Sequence, residues 1–229
     1  MIYATYTFPA KALVNRPIPK TKFYEHASIS RSVKDAFVSQ IQQITWAYKL
    51  SPETTNLAAV KGLFEIQVFN IQLKSPELDN GVLLNSVLLS IDKSIPHPIF
   101  YQLFFEDKMR VAMAYKRMNE SDDTKWVIEQ YLSSQWLTMT EIEQLKTPLP
   151  IALNLGGLYE QMLKALMPIP ANEGENIKAQ TERLSQITQK QKEIAQLQSK
   201  MRNEKQFNRK VEMNNQLKTL QQQLEQLQA

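Results

Sequence analysis

After Gly174 the chain runs 55 residues to its end without a glycine or a proline. Those two residues are the strongest interrupters of a helix, so the stretch is predicted to be helical. Thirteen of the last 53 residues are Gln, and the apolar residues fall into two stripes. Leu184, Ile187, Ile194, Leu197 and Met201 make the first stripe, and Leu217, Leu220, Leu224 and Leu227, at strict 3-4-3 spacing, make the second. Between them lies "RNEKQFNRK", polar apart from Phe207, where the spacing slips and the stripes lose register. Two geometries fit. One is a single helix of about 80 Å at 1.5 Å per residue. The other is an antiparallel hairpin bent at the polar centre. The lack of Gly and Pro favours the single helix. Either way the stripe is too narrow to be stable alone, so residues 177–229 are expected to be a coiled coil completed by a partner helix.

The charge points the same way. The chain carries a net +4, but residues 177–229 hold ten Lys/Arg against five Glu, so the rest sums to −1. Lys200, Arg202, Lys205, Arg209 and Lys210 crowd into eleven residues with Glu204 as the one acid among them. Such a cluster is a solvated helix surface, a docking face for an acidic partner, or a set of phosphate contacts to DNA or RNA. Phosphate contacts would give affinity without sequence reading.

Residues 1–170 are expected to form one α+β domain, and 171–176 a linker. Prolines 9, 17 and 19 oppose a helix and predict a short strand or extended arm. Ser30 or Ser32 caps a predicted helix to about Leu50, with Val33, Phe37, Ile41, Ile44 and Tyr48 on one face. "GLFEIQVFNIQLK" (62–74) is rich in β-formers and reads as a central strand. A loop at 75–81 and a helix at 82–93 follow, the latter with Leu84, Val87, Leu88 and Ile91 inward. Strands at 98–105, 109–117 and 126–131 then form an antiparallel meander, with a turn at 119–123. Thr138 and Thr140 each stand three residues before a Glu and can box a short helix, and Gly156-Gly157 precede another at 158–167. The whole is a mostly antiparallel sheet with flanking helices.

The chemistry legible in these residues is sparse. There is no cysteine, which excludes disulfides and thiolate sites and makes a reducing cytoplasm the expected setting. No signal peptide is expected from "MIYATYTFPAK", and no apolar run reaches the roughly 20 residues that span a bilayer. Five glycines cannot supply a phosphate loop. "NLGGLYEQ" suits a plain helix cap better than an anion site. Of the two histidines, His26 and His97, the latter sits between Pro96 and Pro98 and is expected in a turn.

The weak catalytic candidates are Glu65 and Gln67. Two apart on a strand, they have the spacing with which nucleases of the restriction-enzyme type hold Mg²⁺ and orient water. The second carboxylate such a site needs is missing. Asp35, the one Asp upstream of Glu65, falls in a predicted helix. The alternative is hydrogen bonding on a half-polar sheet face. No cofactor or metal is expected.

Taken together, "RPIPKTKFYEH", "QIQQITWAYKLSPETTNL", "EIQVFNIQLK", "SIDKSIPHPIFYQLFF" and "EKQFNRKVEMNNQLK" resemble a bacterial family catalogued as domain of unknown function 4391. The resemblance implies a protein encoded beside helicases and DNA methyltransferases, in restriction-like or anti-phage clusters. It carries over no catalytic residue. The expected function is a non-enzymatic accessory or scaffold subunit of a DNA-directed defence complex. Its stripe residues would join it to itself, a helicase or a methyltransferase, and its basic segment would serve any nucleic-acid contact. A divergent Mg²⁺ nuclease using Glu65 and Gln67, or a sequence-nonspecific nucleic-acid-binding module, are the alternatives.

Overall fold

The computed structural model describes residues 4–25, 29–75, 82–119, 121–122 and 125–228. The chain divides into two compact units, Met1–Pro168 and Ile169–Ala229. The first is a mixed α+β unit. Along the chain come β1 (Tyr6–Thr7), β2 (Leu13–Pro17), α1 (Thr21–Glu25), α2 (Arg31–Gln40), β3 (Ile41–Leu50), α3 (Pro52–Thr55) and β4 (Ile66–Leu73). Then follow α4 (Val82–Ser94), β5 (Ile99–Phe105), β6 (Lys108–Met118), β7 (Trp126–Ser133), β8 (Leu137–Thr138), α5 (Met139–Leu145), β9 (Thr147–Pro148) and α6 (Leu155–Lys164). The loop expected at 75–81 and the turn expected at 119–123 lie partly outside the described residues.

The sheet runs β2-β3-β4-β5-β6-β7, with β8 added beside β6. All its pairs are antiparallel except β4 with β5, which α4 connects as a crossover. β1 pairs separately and in parallel with β9, Tyr6 opposite Thr147. The central place expected for the 62–74 stretch is where β4 lies. Its residues are buried or half-buried throughout.

One predicted helix is half a helix. Ser30 caps α2 through Val33 N–H, but the helix stops at Gln40 and residues 41–50 are a strand. The reason is local. "IQQITWAYKL" is rich in β-branched and aromatic residues, which favour a pleated, half-buried surface. Register shifts between Ile41 and Gln43 and between Trp46 and Tyr48 break the alternation of the strand. Burial then recurs every third residue, at Ile41, Ile44, Ala47 and Leu50, and that spacing mimics a helical face.

Both faces of the sheet are covered. On one, Phe69, Ile71, Ile99, Tyr101 and Leu103 pack with Phe37 of α2 and with Leu84, Val87, Leu88 and Ile91 of α4. On the other, the rings of Tyr6 and Phe8 lie 5.6 and 5.9 Å from that of Phe100. Tyr159 of α6 donates its hydroxyl to the Ala114 carbonyl at 3.0 Å. Helix α6 starts at Leu155, earlier than its glycines suggest, because Asn154 caps it by accepting from Gly157 N–H at 2.9 Å. Thr138, rather than Thr140, makes the capping box with Glu141.

The second unit consists of α7 (Ile177–Asn203) and α8 (Phe207–Gln228). These pack against one another as a hairpin, so the single long helix favoured by the sequence is not what forms. The bend is made without Gly or Pro. Glu204 leaves the helix with φ −72° and ψ 135°, a conformation open to any residue. Its Oε1 accepts the backbone N–H groups of Lys205 and Gln206 at 2.8 and 2.9 Å, satisfying donors freed by the turn.

The open end of the hairpin is closed by Arg183. Its Nε and Nη2 donate to the two oxygens of Glu175 at 2.8 and 2.7 Å. Nη2 also reaches the Pro170 carbonyl at 2.6 Å, and Nη1 the Leu227 carbonyl at 3.1 Å. The Arg183 fork beside Glu175 holds that carboxyl down at about 2. A carboxylate depressed in the folded state stabilises it above the ordinary carboxylate range and loses that effect as pH falls. Acid titration from pH 5 towards 2 is therefore expected to loosen the hairpin base, read as progressive loss of helical circular dichroism. Glu175→Gln should flatten the curve in that window. If the wild type and the variant titrate identically, the clamp does not govern acid stability.

Candidate functional site

Three strand ends meet around Glu65. In the antiparallel pairing of β3 with β4, Lys49 stands opposite Gln67. In the parallel pairing of β4 with β5, Gln67 N–H donates to the Pro98 carbonyl at 2.9 Å, which brings the preceding turn over the head of β4. The Lys49 ammonium lies 2.7 Å from Glu65 Oε2, and His97 Nε2 lies 3.2 Å from Oε1. Gln67 donates its amide to the same Oε1. Both oxygens of Glu65 thus have cationic or N–H partners from this chain.

Burial pulls the His97 imidazole below its ordinary range, Glu65 works against that, and the Lys116 and Lys49 ammoniums add to the fall. The neutral ring with its proton on Nε2 satisfies Glu65. Its Nδ1 is buried without a hydrogen-bond partner, and so is Gln67 Oε1. Chemically the cluster acts as a junction between β3, β4 and the turn before β5. Glu65 and Gln67 bond to each other, with Glu65 one residue ahead of β4 rather than on the strand expected over 62–74. Among the described residues no three of His, Cys, Asp and Glu gather so as to hold a metal ion. His26 lies outside the described residues.

Beneath this junction is a deeper polar network. Lys116 of β6 is almost fully buried. Its Nζ donates to the carbonyls of Asp92, Ile95 and His97, with distances to the first and last of 2.6 and 3.1 Å. Three acceptors require three N–H groups, which only the ammonium has. These carbonyls belong to the end of α4 and the turn after it, where a cation offsets the helix dipole. Asp92 Oδ1 lies 3.6 Å from Nζ, and Oδ2 accepts the hydroxyls of Tyr101 and Tyr131 at 2.9 and 2.5 Å. Burial pushes the Asp92 carboxyl up and the Lys116 ammonium down, while each draws the other back towards its charged form.

In the second unit the hairpin brings the two apolar stripes face to face. Leu184, Ile187 and Leu217 are buried, while Ile194, Leu197, Met201, Leu220, Leu224 and Leu227 are half-buried. The five cations gather at the bend. Lys200 and Arg202 end α7, Lys205 lies in the connection, and Arg209 and Lys210 begin α8. All five are exposed. Among the described residues the ion pair at the bend joins Arg209 to Glu204 at 3.9 Å.

Sequence reading placed His97 in its turn but missed its contact with Glu65, which depends on the β4–β5 pairing. It also missed Lys116 and Asp92. A signal for both existed. Asp92 stands four residues after the inward Leu88, and Lys116 four after the buried Ala112.

Among the described residues no helix is long and apolar enough to cross a membrane. Comparison with curated proteins and with solved structures gives no match. A family model matches residues 7–224, nearly the whole chain, both units included. The chain thus belongs to the family described as Domain of unknown function (DUF4391).

Proposed function

We propose that the protein is an accessory subunit, without chemistry of its own, of a DNA-directed defence or modification complex, and that the α7–α8 hairpin is its assembly element. The observation that carries the assembly part is the half-buried state of Ile194, Leu197, Leu220, Leu224 and Leu227. Two helices cover only one flank of each other's stripe. A second hairpin, or a helix pair from a helicase or methyltransferase, would cover the other flank and complete a four-helix core. The chain's own second arm thus supplies part of the complement that the sequence assigns to another polypeptide. The open flank supplies the reason for a partner. The DNA-directed part rests on the genomic company that the family resemblance implies.

The test is the size of the full chain in solution. Light scattering is expected to give an assembly larger than one chain, and Ile194→Glu with Leu220→Glu should reduce it to a single chain with helical content retained. A single chain at all concentrations, with no partner recovered from the native host, removes the assembly role. So does an assembly that survives the two charges.

A further inference from the structure

The bend of the hairpin has a composition that its own stability does not explain. Arg209 and Lys210 sit in the first turn of α8, where the positive end of the helix dipole disfavours cations, and Glu204, 3.9 Å from Arg209, is a single acid against five cations. Glu204, the acid at the bend, is engaged in the turn itself through the N–H groups of Lys205 and Gln206. Between the cations Phe207 is 78 % exposed. A lone exposed aromatic means little. An exposed aromatic within the same eleven-residue bend as five exposed cations is the combination that suits single-stranded nucleic acid, with cations tracking the backbone and the ring stacking a base.

Geometry favours a single strand over a duplex. Each helix with its side chains is about 10–12 Å across, so the paired tip spans roughly 20 Å. The major groove of B-DNA is about 12 Å wide and admits one helix, not two. A single strand has no such limit, and its unstacked bases are free to meet Phe207.

We propose that the bend of the α7–α8 hairpin is a binding site for single-stranded nucleic acid, with Lys200, Arg202, Lys205, Arg209 and Lys210 on its phosphates and Phe207 stacked on a base. The site lies at the tip and the half-buried seam runs along the arms, so it stands independently of the assembly role.

The experiment is fluorescence anisotropy of the full chain with three labelled probes: a 20-nucleotide oligothymidylate, a 20-nucleotide oligouridylate and a 20-base-pair duplex. At least one single strand is expected to bind more tightly than the duplex, and the two single-strand arms tell DNA from RNA. Five phosphate contacts predict a log–log salt slope of about −3.5, hence roughly a hundredfold loss between 50 and 200 mM salt. Replacing all five cations by Gln should abolish binding. Phe207→Ala, a surface change, should weaken it about 5- to 150-fold and leave the salt slope unchanged. Circular dichroism confirms that both variants keep their helices. Equal or tighter binding of the duplex overturns the proposal, as does indifference to Phe207→Ala or to the loss of charge. Binding to polyglutamate but to none of the three probes would assign the tip to an acidic protein instead.

Discussion

Lys116→Met is expected to lower the stability of the first unit by about 3–5 kcal/mol, the usual result of removing one partner from a buried ion pair. The substitution keeps most of the side chain's length and apolar volume. What it removes is the ammonium that bonds the carbonyls of Asp92, Ile95 and His97. It also leaves the Asp92 carboxylate buried, with Tyr101 and Tyr131 as its remaining partners. For a unit of this size the loss corresponds to a fall in Tm of roughly 10–15 °C. Adding Asp92→Leu should recover part of it, because the stranded charge goes, but the carbonyls at the end of α4 still lack donors. Thermal melts of both single variants and the double variant close the cycle. A loss in the double variant equal to the sum of the two single losses would mean that the two residues do not act as a pair.

Arg183→Ala should have the largest effect in the second unit. The guanidinium donates to both oxygens of Glu175 and to the carbonyls of Pro170 and Leu227. Charge-assisted bonds are worth about 1.5–3 kcal/mol each, but bonds lost together are not additive, so about 3 kcal/mol is the expected total. That is roughly a hundredfold rise in the opening constant of the hairpin base. Hydrogen exchange of the last turns of α8 reads it directly. Arg183→Lys should recover little, since a point charge cannot reproduce the planar fork. Unchanged exchange in Arg183→Ala would show that the packing of the stripes alone holds the arms together.

The parts of this fold that could be read from sequence are those where one rule acts alone. β4 lies between strands on both sides and is rich in β-formers, with Ile66, Val68, Phe69, Ile71 and Leu73 all buried. α4 covers one face of the sheet, so Leu84, Val87, Leu88 and Ile91 keep helical spacing. β3 misled because two bulges turn a period of two into a period of three, which a single sequence does not distinguish from a helix. The bend at 204–206 was marked in the sequence by a polar centre and a slip in spacing but by no helix breaker, because its φ and ψ need no glycine and its freed donors are met by a glutamate side chain. The Glu65 junction was half legible. Gln67 lies near Glu65 in sequence, whereas Lys49 and His97 arrive through strand pairing, a relation between distant segments that periodicity does not carry.

β1 pairs with β9, and Thr5 Oγ1 donates to the Leu145 carbonyl at 3.0 Å. On a nascent chain β1 thus waits for a mate some 140 residues further along the sequence. At about 5–20 residues per second it stays single for roughly 10–30 seconds. For that interval the backbone edge of β1 stays unpaired, although Phe8 can already stack on Tyr48 and both Tyr6 and Phe8 on Phe100. Pairing of β1 with β9 is thus a late event in the synthesis of the unit, with α6 still to follow.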